Sequence, residues 1–176
     1  PDRLEGAVIL DPLGAHLDVY EEFGNGLRAP LTPAQRARFD EIEAREDAGE
    51  ATQEESDEGM RLIWPNYYAD PASAPPMPDL PFSSEVFVDT LASIRAHDEA
   101  GTLERGLPAV PASVPVLFVH GVRSPMPVRA TTDTAKLIPH AAVELLPDAG
   151  HFLWHEDASG TSDAIATFVA GATASG

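Results

Sequence analysis

The residues best placed to do chemistry lie in one short stretch, Leu145-Leu146-Pro147-Asp148-Ala149-Gly150-His151-Phe152-Leu153-Trp154-His155-Glu156. An apolar run closes on Pro147, a turn of small residues follows, and His151 stands before an aromatic-rich descent into a helix. A histidine on a loop beyond the C-terminal edge of a parallel strand sits where open α/β sheets place ligand chemistry. An imidazole can take up and return a proton; a histidine that merely satisfies its own loop fits the same position. The other five histidines, at 16, 97, 120, 140 and 155, show no H-E-x-x-H spacing, and no metal site or cofactor is expected. His120, at a strand end before Gly121, is expected to be buried near the site; His97 and His140 are expected at the surface. No glycine-rich phosphate loop supports nucleotide binding.

The elements that must position this chemistry are legible from apolar runs and their breakers. Gly6 to Leu10 ends in Asp11-Pro12, Val114 to His120 ends in Gly121, and Ala141 to Leu146 ends in Pro147. Three such runs read as strands buried on both faces, as in a parallel sheet covered by helices, the first carrying a carboxylate at its C-terminal end. Thr32-Pro33 reads as an N-cap with Pro at the first helical position, opening a polar helix through Arg45. Ser83 or Ser84 caps a helix to about Ala96, with Val86, Phe87, Thr90, Leu91 and Ile94 along one face. Thr131 to Leu137 makes a short helix. A last helix, from about Ser159 to Ser162 onward, buries Ala164, Ile165 and Phe168, and the tail from Gly171 to Gly176 is expected to fray.

The segment from Leu13 to Pro111 interrupts this rhythm. Ten acids and one Arg fall between Asp40 and Glu58, followed by Trp64-Pro65-Asn66-Tyr67-Tyr68 and a Pro-rich stretch from Pro71 to Pro81. The acid run reads as a solvated helix face or mobile loop, its alternative being a patch that attracts the cationic end of a substrate. The aromatic cluster packs the inserted element onto the main body, lines a pocket, or does both.

Across all 176 residues, 29 Asp and Glu oppose 11 Lys and Arg, a net charge of −18 that argues against nucleic acid or an anionic membrane as partner. With 43% hydrophobic residues the chain is not of disordered composition, and it has no apolar run long enough to span a membrane. The absence of cysteine excludes disulfides and thiolate metal sites. A first residue of Pro rather than Met is expected of a processed or trimmed chain, from which a leading segment has been lost. A water-soluble, cytoplasmic setting is the mild preference.

Val114-Pro115-Val116-Leu117-Phe118-Val119-His120-Gly121, followed by the Gly150-His151-Phe152 turn, resembles the C-terminal half of an α/β-hydrolase of the proline iminopeptidase-like and epoxide hydrolase-like branch. The start, from Arg3-Leu4 into Leu10-Asp11-Pro12, is similar to the strand after the nucleophile helix, and the long segment behind it falls where that family inserts a helical cap. The resemblance implies a partial α/β-hydrolase fold: a core strand over 1–13, a cap over 14–111 and a C-terminal core over 112–176. It implies His151 as general base, with Trp154 and Glu156 fixing the turn behind it.

Two departures shape the reading. No G-x-S-x-G elbow occurs in these residues, and Ser124 lacks the strand-to-helix elbow context to replace it. The nucleophile and oxyanion amides are therefore expected from an N-terminal half of the same hydrolase, without which the chain is inactive. The family's acid follows the strand ending at Gly121 in a G-x-x-D pattern, where this chain has Ser124. Asp11, at the end of the preceding strand on the same sheet edge, is the preferred acid, although Asp-Pro is also an ordinary strand terminator. Asp148 and Glu156 lie too near His151 in sequence to reach its far nitrogen easily, and Asp133 suits a helix N-terminus. The implied reaction is hydrolysis of an amide or ester through an acyl-enzyme, on a small-molecule or peptide substrate. Trp64, Tyr67 and Tyr68 are expected to line the pocket, and an acidic cap favours a substrate with a free amine. The alternatives are an epoxide hydrolase or dehalogenase with an Asp nucleophile in the other half, and a non-catalytic binding protein on the same scaffold. The first strand, with no partner on its outer side, is expected to leave an open edge.

Overall fold

The structure, a computed structural model, describes residues 4–79 and 83–174. Arg3, Pro81 and the last two residues of the tail lie outside the described residues. Three parallel strands, β1 (Ala7–Leu10), β2 (Val116–Gly121) and β3 (Ala141–Leu146), form a sheet in the order β1-β2-β3. Ala7 aligns with Val116 and Val116 with Ala141, so all three strands end at the same edge of the sheet. Between β1 and β2 lie α1 (Asp18–Arg28), α2 (Pro33–Asp47), α3 (Gln53–Ile63), α4 (Ser84–Glu99) and α5 (Thr102–Gly106). Helix α6 (Val128–Lys136) connects β2 to β3, and α7 (Leu153–Glu156) and α8 (Ala158–Ala174) follow β3.

Alternation along β2 sends its side chains to two cores. Leu117 and Val119 join Leu146, Ala149 and Leu153 beneath Ala164 and Phe168 of α8. Val116 and Phe118 join Ala135 and Ile138 on the α6 side. Each fully buried aliphatic of this kind contributes about 1.5–3 kcal/mol, which makes β2 the structural axis of the sheet. β3 is not buried on both faces as its composition predicts: Val143 is 37% and Leu145 40% exposed. It is an outer strand, and an apolar run at a sheet's margin cannot be told by composition from one at its centre.

The polar helix from Thr32 forms with a full capping box, Thr32 accepting from the Gln35 N–H while Gln35 accepts from the Thr32 N–H. A second box, Thr52 with Glu55, starts α3 inside the acid run, which is thus largely helical. Its charges are partly matched: Arg38 holds Glu58 through two nitrogens at 2.7 and 3.0 Å, and Arg45 approaches Glu55 at 3.1 Å. Helix α4 is capped by Ser83 as expected, but Val86 is 63% and Phe87 45% exposed, so the predicted buried stripe is reduced to the half-buried Leu91 and Ile94. His140, expected at the surface, is half-buried and bonded through Nε2 to the Val114 carbonyl at 3.0 Å. No helix among the described residues is long and apolar enough to cross a membrane.

Candidate active site

The three strand ends bring together Asp11, one residue beyond β1, Ser124, three beyond β2, and His151, five beyond β3. Asp11 Oδ1 lies 3.3 Å from His151 Nδ1, and the Ser124 hydroxyl lies 3.2 Å from Asp11 Oδ1 and 3.3 Å from His151 Nδ1. Ser124 Oγ also accepts the Met126 N–H at 3.1 Å, so its own hydrogen is available to Asp11. With a carboxylate and a hydroxyl facing Nδ1, the neutral imidazole carries its proton there and leaves Nε2 as the basic nitrogen. The Asp11 side chain is buried, its Oδ2 accepts the Gly121 N–H at 3.3 Å, and His151 remains 21% exposed at its side chain.

Asp11 has φ +42°, the sole non-glycine residue with positive φ among the described residues. That conformation costs about 1–2 kcal/mol for most side chains and is tolerated best by Asp and Asn. The strain is held in place by the Asp11 N–H, which continues the ladder to the Val119 carbonyl at 2.8 Å. The outcome is a carboxylate turned back over the end of the neighbouring strand.

His120 is fully buried beneath this pair, its Nδ1 3.3 Å from Asp11 Oδ1. Its Nε2–H donates to the Met126 carbonyl at 3.1 Å and Nδ1 accepts from the Thr131 hydroxyl at 2.8 Å, an arrangement that suits the neutral ring. Burial pushes its pKa below the ordinary value of 6.5, against the opposing pull of Asp11. Folding therefore favours the neutral ring. The stability this supplies is fully present above the ordinary histidine value and is lost as pH falls through the lowered folded-state value. On going from about pH 7.5 to about pH 5.5, the urea midpoint of the wild type is expected to drop more steeply than that of His120→Asn. Equal slopes would remove His120 from the account.

Two glycines let the loops close. A Cβ on Gly121 would lie 2.1 Å from the Gly150 carbonyl oxygen, and one on Gly150 would lie 2.5 Å from the Ala69 nitrogen. Glu156 Oε2 accepts the Gly150 N–H at 2.8 Å, so it does brace the turn carrying His151, whereas Trp154 is 44% exposed and packs on Phe152 and His155.

Of the three aromatics expected to line a pocket, Tyr67 is brought against His151, with ring centroids 5.4 Å apart. Burial pushes its phenol up to about 12, so it stays protonated beside the imidazole. Trp64 and Tyr68 pack on Phe152 at 5.0 and 5.3 Å; Trp64 donates to the Pro75 carbonyl, and the Tyr68 hydroxyl is buried without a hydrogen-bond partner. Phe23, which nothing in the sequence marks, comes from α1 to 5.6 Å from His151. The placement of the Ser124 hydroxyl between the Asp11 carboxylate and the His151 imidazole was equally hidden. Among the described residues no group of three or more potential ligands is arranged to hold a metal ion.

No family model matches the chain, and no curated protein matches it in sequence. Among solved structures it matches the crystal structure of proline iminopeptidase from Mycobacterium smegmatis, with TM-score 0.57 and 18% identity over 98% of this chain. The matched region is 58% of that protein's length. The likeness is one of fold, and it gives the parallel sheet and its helices an α/β-hydrolase architecture over the part they span.

Proposed function

We propose that the cluster is the acid–base part of a hydrolase site, with His151 as general base and Asp11 as its acid. The observation that carries this reading is the approach of a buried carboxylate to Nδ1 of a partly exposed imidazole, 3.3 Å away, at the C-terminal edge of a parallel sheet. In this reading Nε2 takes the proton of a nucleophile as it attacks an amide or ester carbonyl, and Asp11 stabilises the imidazolium. The same proton passes to the leaving amine or alkoxide, and a second cycle with water releases the acid. Ser124 is not that nucleophile, because its hydroxyl occupies the Nδ1 side with the acid, whereas a nucleophile must face Nε2. The nucleophile and oxyanion donors come from polypeptide outside these 176 residues, the N-terminal half of the same hydrolase. Tyr67 and Phe23 then wall the pocket, and the acids of the helical segment favour a substrate bearing a free amine.

The test is a fluorophosphonate probe applied to the full-length protein, with the adduct mapped by mass. A single labelled serine outside these residues, with labelling abolished in His151→Ala, is the expected outcome. Hydrolysis without labelling would move the reading to an Asp nucleophile and alkyl-enzyme chemistry. Absence of both would leave a binding protein.

A further inference from the structure

The loop carrying His151 is tied to the helical segment by bonds that the acid–base pair itself does not require. Residues Tyr67 to Ala69 lie against Gly150 and His151 at backbone contact: the Tyr67 carbonyl accepts the His151 N–H at 2.8 Å. Glu156 spans the two segments, with Oε1 accepting the Ala69 N–H at 2.7 Å and Oε2 accepting the Gly150 N–H at 2.8 Å. The Ala69 carbonyl in turn accepts from Arg123 Nη2 at 2.8 Å, on the loop that also holds Ser124. There is no slack between them, since a Cβ on Gly150 would lie 2.8 Å from the Tyr67 oxygen as well as 2.5 Å from the Ala69 nitrogen.

We infer that Glu156 is a positioning residue: with Arg123 it straps residues 67–69 onto the histidine loop, so that the seating of the helical segment sets the His151 imidazole against Asp11. The inference rests on the reading of His151 as the base. The physical ground is that one carboxylate accepting two backbone N–H groups from different segments links their positions through charge-assisted bonds. The strap also grips His151 by its own backbone N–H, and Tyr67 adds its ring to one side of the imidazole. Any shift of the strap thus displaces the histidine directly, and a displacement of about 1 Å costs on the order of 100-fold in rate.

Glu156→Gln tests this in the full-length protein, because it keeps the volume but turns an amide NH₂ toward one of the two N–H groups. Hydrogen exchange at Ala69, Gly150 and His151 is expected to quicken about tenfold. The His151 Nδ1 proton resonance is expected to move, and kcat to fall about tenfold or more with KM within about threefold. Glu156→Ala should enlarge every effect; if it fails to fold, the Gln variant still decides. Unchanged exchange at the three amides would overturn the strap. Faster exchange with an unmoved His151 resonance and unchanged kcat would overturn the positioning role. Failure of the base reading is distinguishable, since activity would then survive His151→Ala while exchange and resonance still report on the strap.

Discussion

Asp11→Asn is expected to lower hydrolytic turnover about 10³–10⁴-fold while the protein stays folded. Asn has the size of Asp and is among the few residues that tolerate φ +42°, so the backbone turn after β1 survives. Its amide oxygen can still accept the Gly121 N–H that now bonds Oδ2. What changes is the atom facing His151: an NH₂ group cannot accept from Nδ1–H, and the ring is driven to the tautomer with its proton on Nε2. That nitrogen then has no lone pair for the nucleophile's proton. His151→Ala should cost at least as much, and the double variant no more than His151→Ala alone, because the two act as one unit. Retention of more than about a tenth of the turnover in Asp11→Asn would move the acid elsewhere. Ser124 offers a complementary variant. Its Oγ is already 3.3 Å from Nδ1, so Ser124→Asp in the Asp11→Asn background puts a carboxylate where the family pattern has one. Recovery of about tenfold or more is expected, limited by the extra bulk in a closely packed loop.

The meeting of Asp11, Ser124 and His151 at one sheet edge explains which parts of the cluster were readable beforehand. Parallel strands leave a sheet at a common edge, so a carboxylate ending one apolar run and a histidine following another are brought near by topology alone. The Asp-Pro pair and the Gly-His-Phe turn were therefore informative at a distance. The hydroxyl of Ser124 was not, because its use depends on a few tenths of an ångström in a loop. Phe23 was invisible for another reason: it rides on α1, whose Phe23-Gly24-Asn25-Gly26 core has poor helix propensity and is ordered by packing against Val19, Met126 and Ala130. The start of α3 was legible in principle, as Thr52 and Glu55 have capping-box spacing, but ten acids in the same stretch fit a solvated helix face and a mobile loop equally, and the helix is what forms. Exposure was the least readable property. Val86, Phe87, Val143 and Leu145 have core-like composition, and only the placement of the other elements leaves them accessible.

Gly121→Ala is expected to be the most damaging small substitution in the core, costing about 3 kcal/mol or more and lowering Tm by about 10 °C. The added methyl would sit 2.1 Å from the Gly150 oxygen and 2.6 Å from the Ala149 oxygen, both backbone atoms. Neither side can yield cheaply. Gly121 is paired with Leu146, and the residues after it bind the same loop, Val122 N–H to the Leu146 carbonyl at 2.9 Å and Arg123 N–H to the Ala149 carbonyl at 3.0 Å. Moving the loop outward drives Gly150 into Ala69 and Glu156, where another missing Cβ already marks contact. Relief therefore requires the His151 turn to tear away from β2, which widens its 3.3 Å approach to Asp11. Loss of activity should accompany loss of stability in this variant. Gly106→Ala is the control, with open space around its Cβ position and helical φ, and it should be neutral or slightly stabilising. If Gly121→Ala melts within about 1 °C of the wild type, the end of β2 and the histidine loop have slack, and their close contact does not hold the site together.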